Sequence, residues 1–153
     1  MYLIAHRGNI NGPNKEHENS PGYILNAIEL GYDVEVDIWY ENNYFYLGHD
    51  KPVYRVDKFF IERIKQKSWF HCKNAQCLTA LNKEFFNVNY FWHEGDRYTL
   101  TSQRYVWAFP GEEILENSIV LFPENLSKEY LSSIKYAGIC SDYVSLYLSI
   151  LYS

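Results

Sequence analysis

Glu35 and Asp37 stand one residue apart in a run, Asp33–Tyr40, that reads as a β-strand. Residues two apart on a strand point to the same face. The two carboxylates therefore lie side by side, and Val34, Val36 and Ile38 face the other way. Neighbouring carboxylates repel unless a proton or a cation sits between them. A hard divalent ion, Mg²⁺ or Ca²⁺, is the usual partner. Four of the five histidines fall where other apolar runs end: His6 before Arg7, His49 before Asp50, His71 two before Lys73, and His93 before Glu94. His71 and Lys73 share a face, with Cys72 turned away. Imidazole exchanges protons near neutral pH. Arginine offers a planar fork to an anion and lysine a point charge. Together these residues suit acid–base chemistry on a bound anion beside a metal. His17, the fifth histidine, reads as a loop residue.

The elements that must position these groups alternate between short strands and helices. Strands are expected at Tyr2–His6, Asp33–Tyr40, Trp69–Cys72, Asn89–His93, Ser118–Phe122 and Gly138–Tyr143. Tyr44–Leu47 pairs back on Asp33–Tyr40 as a hairpin across Glu41–Asn43. Ser20-Pro21 opens a helix that Gly31 closes. Further helices are expected over Arg55–Lys67, Ala75–Phe85 and Ser127–Tyr136, with a last short one from Val144. Between Asp96 and Pro110 the pattern reads as strand and turn, and no helix is evident from Asn89 to Ser118. Strands separated by helices imply a parallel sheet with crossover helices. In such folds chemistry gathers at the C-terminal ends of the strands, where the histidines are.

The chain has 153 residues, 47% of them hydrophobic, enough for one domain with a real core. A net charge of −5 argues against a nucleic-acid partner, which calls for a basic face. Three cysteines, an odd number, read as free thiols in a reducing compartment. Cys72 and Cys77 lack zinc-pair spacing. No signal peptide is evident, and no run nears the roughly 18 apolar residues of a membrane span. A cytoplasmic protein is expected. Fifteen Tyr, nine Phe and four Trp exceed what a core of this size needs. Trp92, Tyr98, Tyr105 and Trp107 either fill core and edge positions or shape a pocket for a cationic head group.

Four short motifs, "AHRG" (Ala5–Gly8), "ENS" (Glu18–Ser20), "EVD" (Glu35–Asp37) and "LGHD" (Leu47–Asp50), occur in this order. In that order and spacing they resemble the glycerophosphodiester phosphodiesterase family. A later "CSDY" (Cys140–Tyr143) resembles that family's late-strand segment. The resemblance is dense over the first 50 residues and thin beyond. It implies a TIM barrel, with His6 and His49 as acid and base and Arg7 and Lys73 on the substrate phosphate. It implies a divalent metal on Glu35 and Asp37, with Glu18 and Asn19 lining the same mouth. Where the family has a third metal carboxylate, two before the lysine, this chain has His71. Imidazole suits Mn²⁺ or Zn²⁺ better than Mg²⁺ or Ca²⁺.

A complete TIM barrel takes about 250 residues. The expected fold is therefore α/β: a trimmed or irregular TIM (β/α) barrel over residues 1–153. It would have about seven parallel strands, with several crossover helices replaced by loops. Exposed strand edges would need cover from the surplus aromatics or from a second copy in a homodimer. Gly8 is expected to let the backbone bend closely over the ligand. The function implied is metal-dependent hydrolysis of a small glycerophosphodiester-type substrate. The alternative is a degenerate barrel that binds a phosphorylated ligand or a partner protein without turnover.

Overall fold

The structure, a computed structural model, describes residues 1–152. Ten strands form one mixed sheet. They are β1 (Tyr2–His6), β2 (Asp33–Glu41), β3 (Tyr44–Leu47), β4 (Tyr54–Val56), β5 (Ser68–Cys72), β6 (Asn89–Trp92), β7 (Tyr98–Leu100), β8 (Val106–Ala108), β9 (Ser118–Leu121) and β10 (Gly138–Ser141). The α-helices are α1 (Pro21–Glu29), α2 (Lys58–Ile64), α3 (Ala75–Glu84) and α4 (Lys128–Ser133). Parallel pairings run β6-β5-β2-β1-β10-β9-β8. The antiparallel strands β3 and β4 hang from the far end of β2, and β7 pairs antiparallel with β8.

The sheet curls into an open half-barrel, which corrects the expected trimmed TIM barrel. No ladder joins β6 to β7 or β8 among the described residues. The physical reason lies between Asn89 and Ser118. Closing a parallel barrel needs a crossover helix in each connection. Here a tight hairpin, β7–β8, takes that place and reverses direction. The gap is crossed instead by side chains and loop contacts. The Phe91 and Trp107 rings lie 4.6 Å apart. Ser102 N–H donates to the Tyr90 carbonyl, and Thr99 Oγ1 to the Trp92 carbonyl.

The two faces of the sheet bury different cores. Leu3, Ala5, Val34, Val36, Ile38, Phe70 and Cys72 point outward onto Ile24 and Ala27 of α1, Ile61 and Ile64 of α2, and Cys77 and Leu81 of α3. Ile4, Trp69, Phe91, Trp107, Ile119, Leu121 and Cys140 fill the concave side. Strand alternation thus sends the odd-numbered residues Glu35, Asp37 and His71 inward, above this inner plug.

Two element expectations need correction. Tyr54–Val56 is a strand on β3, not the start of a helix. Asp57, whose carboxylate accepts from the Phe60 N–H at 2.8 Å, caps α2 after it. The helix expected over Ser127–Tyr136 stops at Ser133. The tail from Val144 is helical as expected, in the 3₁₀ form.

Candidate active site and metal centre

β1, β2 and β5 lie side by side and in register, with His6 opposite Glu35 and Asp37 opposite His71. That register brings Glu35, Asp37 and His71 together, with one ligand atom from each lying within 4.8 Å of the others. His71 Nδ1 is 3.2 Å from Asp37 Oδ1 and 3.5 Å from Glu35 Oε1. Both carboxylates are buried. This group could hold a metal ion.

His71 is oriented from behind. Its Nε2 lies 2.9 Å from the His93 carbonyl, and a carbonyl only accepts, so Nε2 carries a proton. Nδ1 is left facing the acids. A metal-ligating histidine is commonly held in this way, its second nitrogen donating to a carbonyl or carboxylate. Phe91 stacks on the ring at 5.1 Å. Burial opposes the charged imidazolium, but the hydrogen bonds to Asp37 and Glu35 outweigh it and raise His71 to about 9. Without a metal the ring is therefore a cation at neutral pH. Burial would likewise push Asp37 up. Contact with His71 and the charges of Arg7 and Lys73 instead hold it well below the ordinary carboxylate range. Asp37 Oδ1 is buried without an aligned hydrogen bond. Two buried carboxylates and a pre-oriented imidazole nitrogen fit a metal ion.

The cations stand beside the acids. Arg7 Nε lies 3.1 Å from Asp37 Oδ2, and Lys73 Nζ 3.7 Å from Asp37 Oδ1. An Arg7 guanidinium nitrogen reaches Glu18 Oε2 at 3.2 Å. Arg7 has φ 53° and Asn19 φ 61°, both in the left-handed region. Such backbone is uncommon outside glycine and is stabilised here by side-chain bonds. Asn19 Nδ2 donates to Asp37 Oδ2 at 2.8 Å, and its Oδ1 accepts the Asp37 N–H at 3.0 Å. Asn19 thus holds the Asp37 carboxylate, and Glu18 steers Arg7. At Gly8 φ is 86° and a Cβ would lie 2.9 Å from Tyr23 of α1, so the glycine clears space for that helix.

His6 donates from Nδ1 to Asp142 Oδ1 at 2.7 Å, leaving Nε2 3.9 Å from Glu35 Oε2. Burial works against the charged ring, but Asp142 and Glu35 prevail and raise the His6 pKa. Asn9 ties the group together, donating to Glu18 Oε1 at 2.9 Å and to Asp142 Oδ1 at 2.8 Å. Asp142 and Asn9 were not among the sequence candidates. The signal for Asp142 was its place in "CSDY", after a strand. His49 sits beyond β3 on a turn made by Gly48, where φ is 143° and a Cβ would lie 2.3 Å from the Lys51 carbonyl. The Gly48 N–H donates to the Asp37 carbonyl at 3.1 Å, anchoring that turn to β2. His49 Nδ1 meets Asp50 at 2.8 Å, and its ring is the more exposed of the two histidines.

One cleft of about 390 Å³ takes in His6, Arg7, Glu35, His49, His71 and Lys73. Trp107, Phe109, Leu121 and Phe122 form an apolar wall, and His93 and Glu94 complete the rim. Glu18 and Asn19 border an adjoining cleft that shares Arg7 and His49. Of the four aromatics singled out from sequence, only Trp107 lines the main cleft. Trp92 packs on the outer core, the Tyr98 hydroxyl donates to the Glu113 carbonyl, and Tyr105 lies at the opposite end of the sheet. No described helix is long and apolar enough to cross a membrane. No family model, curated protein or solved structure matches the chain.

Proposed function

We propose that this chain is a metal-dependent phosphodiesterase acting on a small glycerophosphodiester-type substrate. The observation that carries the proposal is that His6, His49, Arg7 and Lys73 share one cleft with Glu35 and His71, and that Asp37 lies buried beside these two as the third member of their group. Arg7 and Lys73 neutralise the phosphate oxygens. His6, with Asp142 on Nδ1, presents Nε2 to the cleft and moves a proton there. His49, on the far rim, serves the opposite side of the phosphate. Glu35, Asp37 and His71 would hold the ion, Mg²⁺ or Ca²⁺ by carboxylate preference, Mn²⁺ or Zn²⁺ by the imidazole. When bound, the ion polarises the phosphate and offsets developing charge. The three cysteines are free and buried, which suits a reducing, cytoplasmic setting.

The test is release of glycerol phosphate from a panel of glycerophosphodiesters, crossed with a panel of metals and a chelator. Turnover that needs metal and is lost in both His6→Ala and His49→Ala is expected. Unchanged activity in either variant would refute the assignment of acid and base. One observation favours the binding-only alternative: Arg7, Lys73 and charged His71 already neutralise Asp37. In that case phosphodiester binds by calorimetry, metal does not change its affinity, and no product forms.

A further inference from the structure

A second cleft lies at the other end of the half-barrel, away from the proposed chemistry. Tyr2, Asp33, Ser68 and Asn89 are the first residues of the parallel strands β1, β2, β5 and β6. All four border a recess of about 180 Å³, together with Trp69 and Tyr105. A single water needs only about a tenth of that volume. Its charges are already spent within the protein. Asp33 accepts from Lys67 Nζ at 3.0 Å and from the Trp69 indole at 3.1 Å. Lys65 is held by Glu62 and by the Phe86 carbonyl. Asn87 and Gln103 bond each other across the rim at 3.2 Å.

Asn89 is the exception. It is 4% exposed, and its Oδ1 is buried with no partner. An orphaned buried acceptor is costly, by about 1–3 kcal/mol. It sits on the same strand face as Phe91, toward the inside of the curl. Beside it three rings pack together: Tyr2 edge to face on Trp69 at 5.2 Å and on Tyr105 at 5.4 Å, and Trp69 tilted against Tyr105 at 5.0 Å. The Tyr2 and Tyr105 hydroxyls touch at 3.0 Å.

We infer that this recess is a binding site for a small neutral polyol, such as glycerol or a monosaccharide. Paired charges give an ionic ligand nothing to neutralise. The Asn89 oxygen needs a hydroxyl donor, and the exposed lining of the recess is mostly polar, with the Tyr2 and Tyr105 hydroxyls among its groups. A polyol supplies several hydroxyls within the available volume. The site is independent of the proposed phosphodiesterase activity and shares no residue with its cleft.

The test is a titration of ¹⁵N-labelled protein with glycerol and with glucose, followed at the Trp69 indole and Asn89 amide resonances. Saturable shifts with a dissociation constant on the order of millimolar are expected for at least one of them. Asn89→Leu should weaken binding at least about tenfold while leaving phosphodiester turnover unchanged. Tyr105→Leu, at a half-exposed position, should weaken it too and serves if Asn89→Leu does not fold. No saturable shift with either polyol up to about 100 mM, or equal binding in the folded variants, would overturn the inference.

Discussion

His6 and Asp142 hold each other across most of the chain, and the acid sets both the tautomer and the basicity of the ring. Asp142→Asn should keep the fold but lower kcat about a hundredfold or more, because the proton donor on Nδ1 loses its charged acceptor. The pH–rate limb belonging to His6 should move to lower pH, since Asp142 is among the groups raising it. An unaltered profile would show that His6 does not carry the proton. His71 makes a separate prediction, about stability. Its pKa rises from 6.5 to about 9 on folding. A raised pKa contributes stability that is complete below the unfolded value and is lost as pH climbs through the folded one. The amount is roughly 3 kcal/mol. Asp37 and Asp142 are held low and act oppositely, losing their contribution only as pH falls below about 4. Urea midpoints of the metal-free protein should therefore decline from pH 6.5 to 9, and a flat curve would contradict the ion pairs. His71→Glu should shift metal preference toward Mg²⁺ and Ca²⁺, measured by calorimetry across the four ions.

Turns and caps, at the scale of elements, decide whether those residues meet. Gly48 carries His49 on a backbone that no other residue adopts without strain. Gly48→Ala should reduce turnover sharply through misplaced His49 yet leave metal affinity within about twofold, since the Gly48 N–H bonds the backbone carbonyl of Asp37 and not the side chains of Glu35, Asp37 or His71. Equal loss of both would mean that the turn supports the whole sheet. Asn74 caps α3, accepting from the Cys77 N–H at 3.2 Å, and also bonds both backbone groups of Tyr40 on β2. Asn74→Ala should cost about 2–3 kcal/mol in urea denaturation. Much at this scale was legible from sequence. Period-two alternation in Glu35-Val36-Asp37 and the Ser20-Pro21 start of α1 follow from local geometry alone. Tyr54–Val56 was not legible. Three residues are too few to show a period, and only pairing with Phe45–Leu47 makes them a strand.

At the scale of the molecule, the open seam between β6 and β8 rests on aromatic packing, with Trp107 touching both Phe91 and Trp69. Trp107→Ala should destabilise the protein by about 3–5 kcal/mol and raise hydrogen exchange first in β6 and β8. Exchange that rises evenly would place the weak point elsewhere. The missing helix between Asn89 and Ser118 was legible, but the antiparallel return of β7 on β8, which leaves the sheet open, was not, because a hairpin and a crossover both begin with a strand. The partner of His6 was hidden for a related reason: Asp142 stands 136 residues away, and no local pattern spans that distance. That separation has a consequence for synthesis. β1 is synthesised before the other nine strands of the sheet, yet one of its two neighbours, β10, is made after all of them. Chains grow at roughly 5–20 residues per second. The strand carrying His6 and Arg7 therefore waits many seconds, half-paired and without Asp142, before the sheet can seal around it. A nascent chain has Glu35 and Asp37 of β2 early, but the His6–Asp142 pair assembles only once β10 has been made. A ribosome stalled before Gly138 would therefore hold β1 with one sheet edge open and His6 without its carboxylate partner.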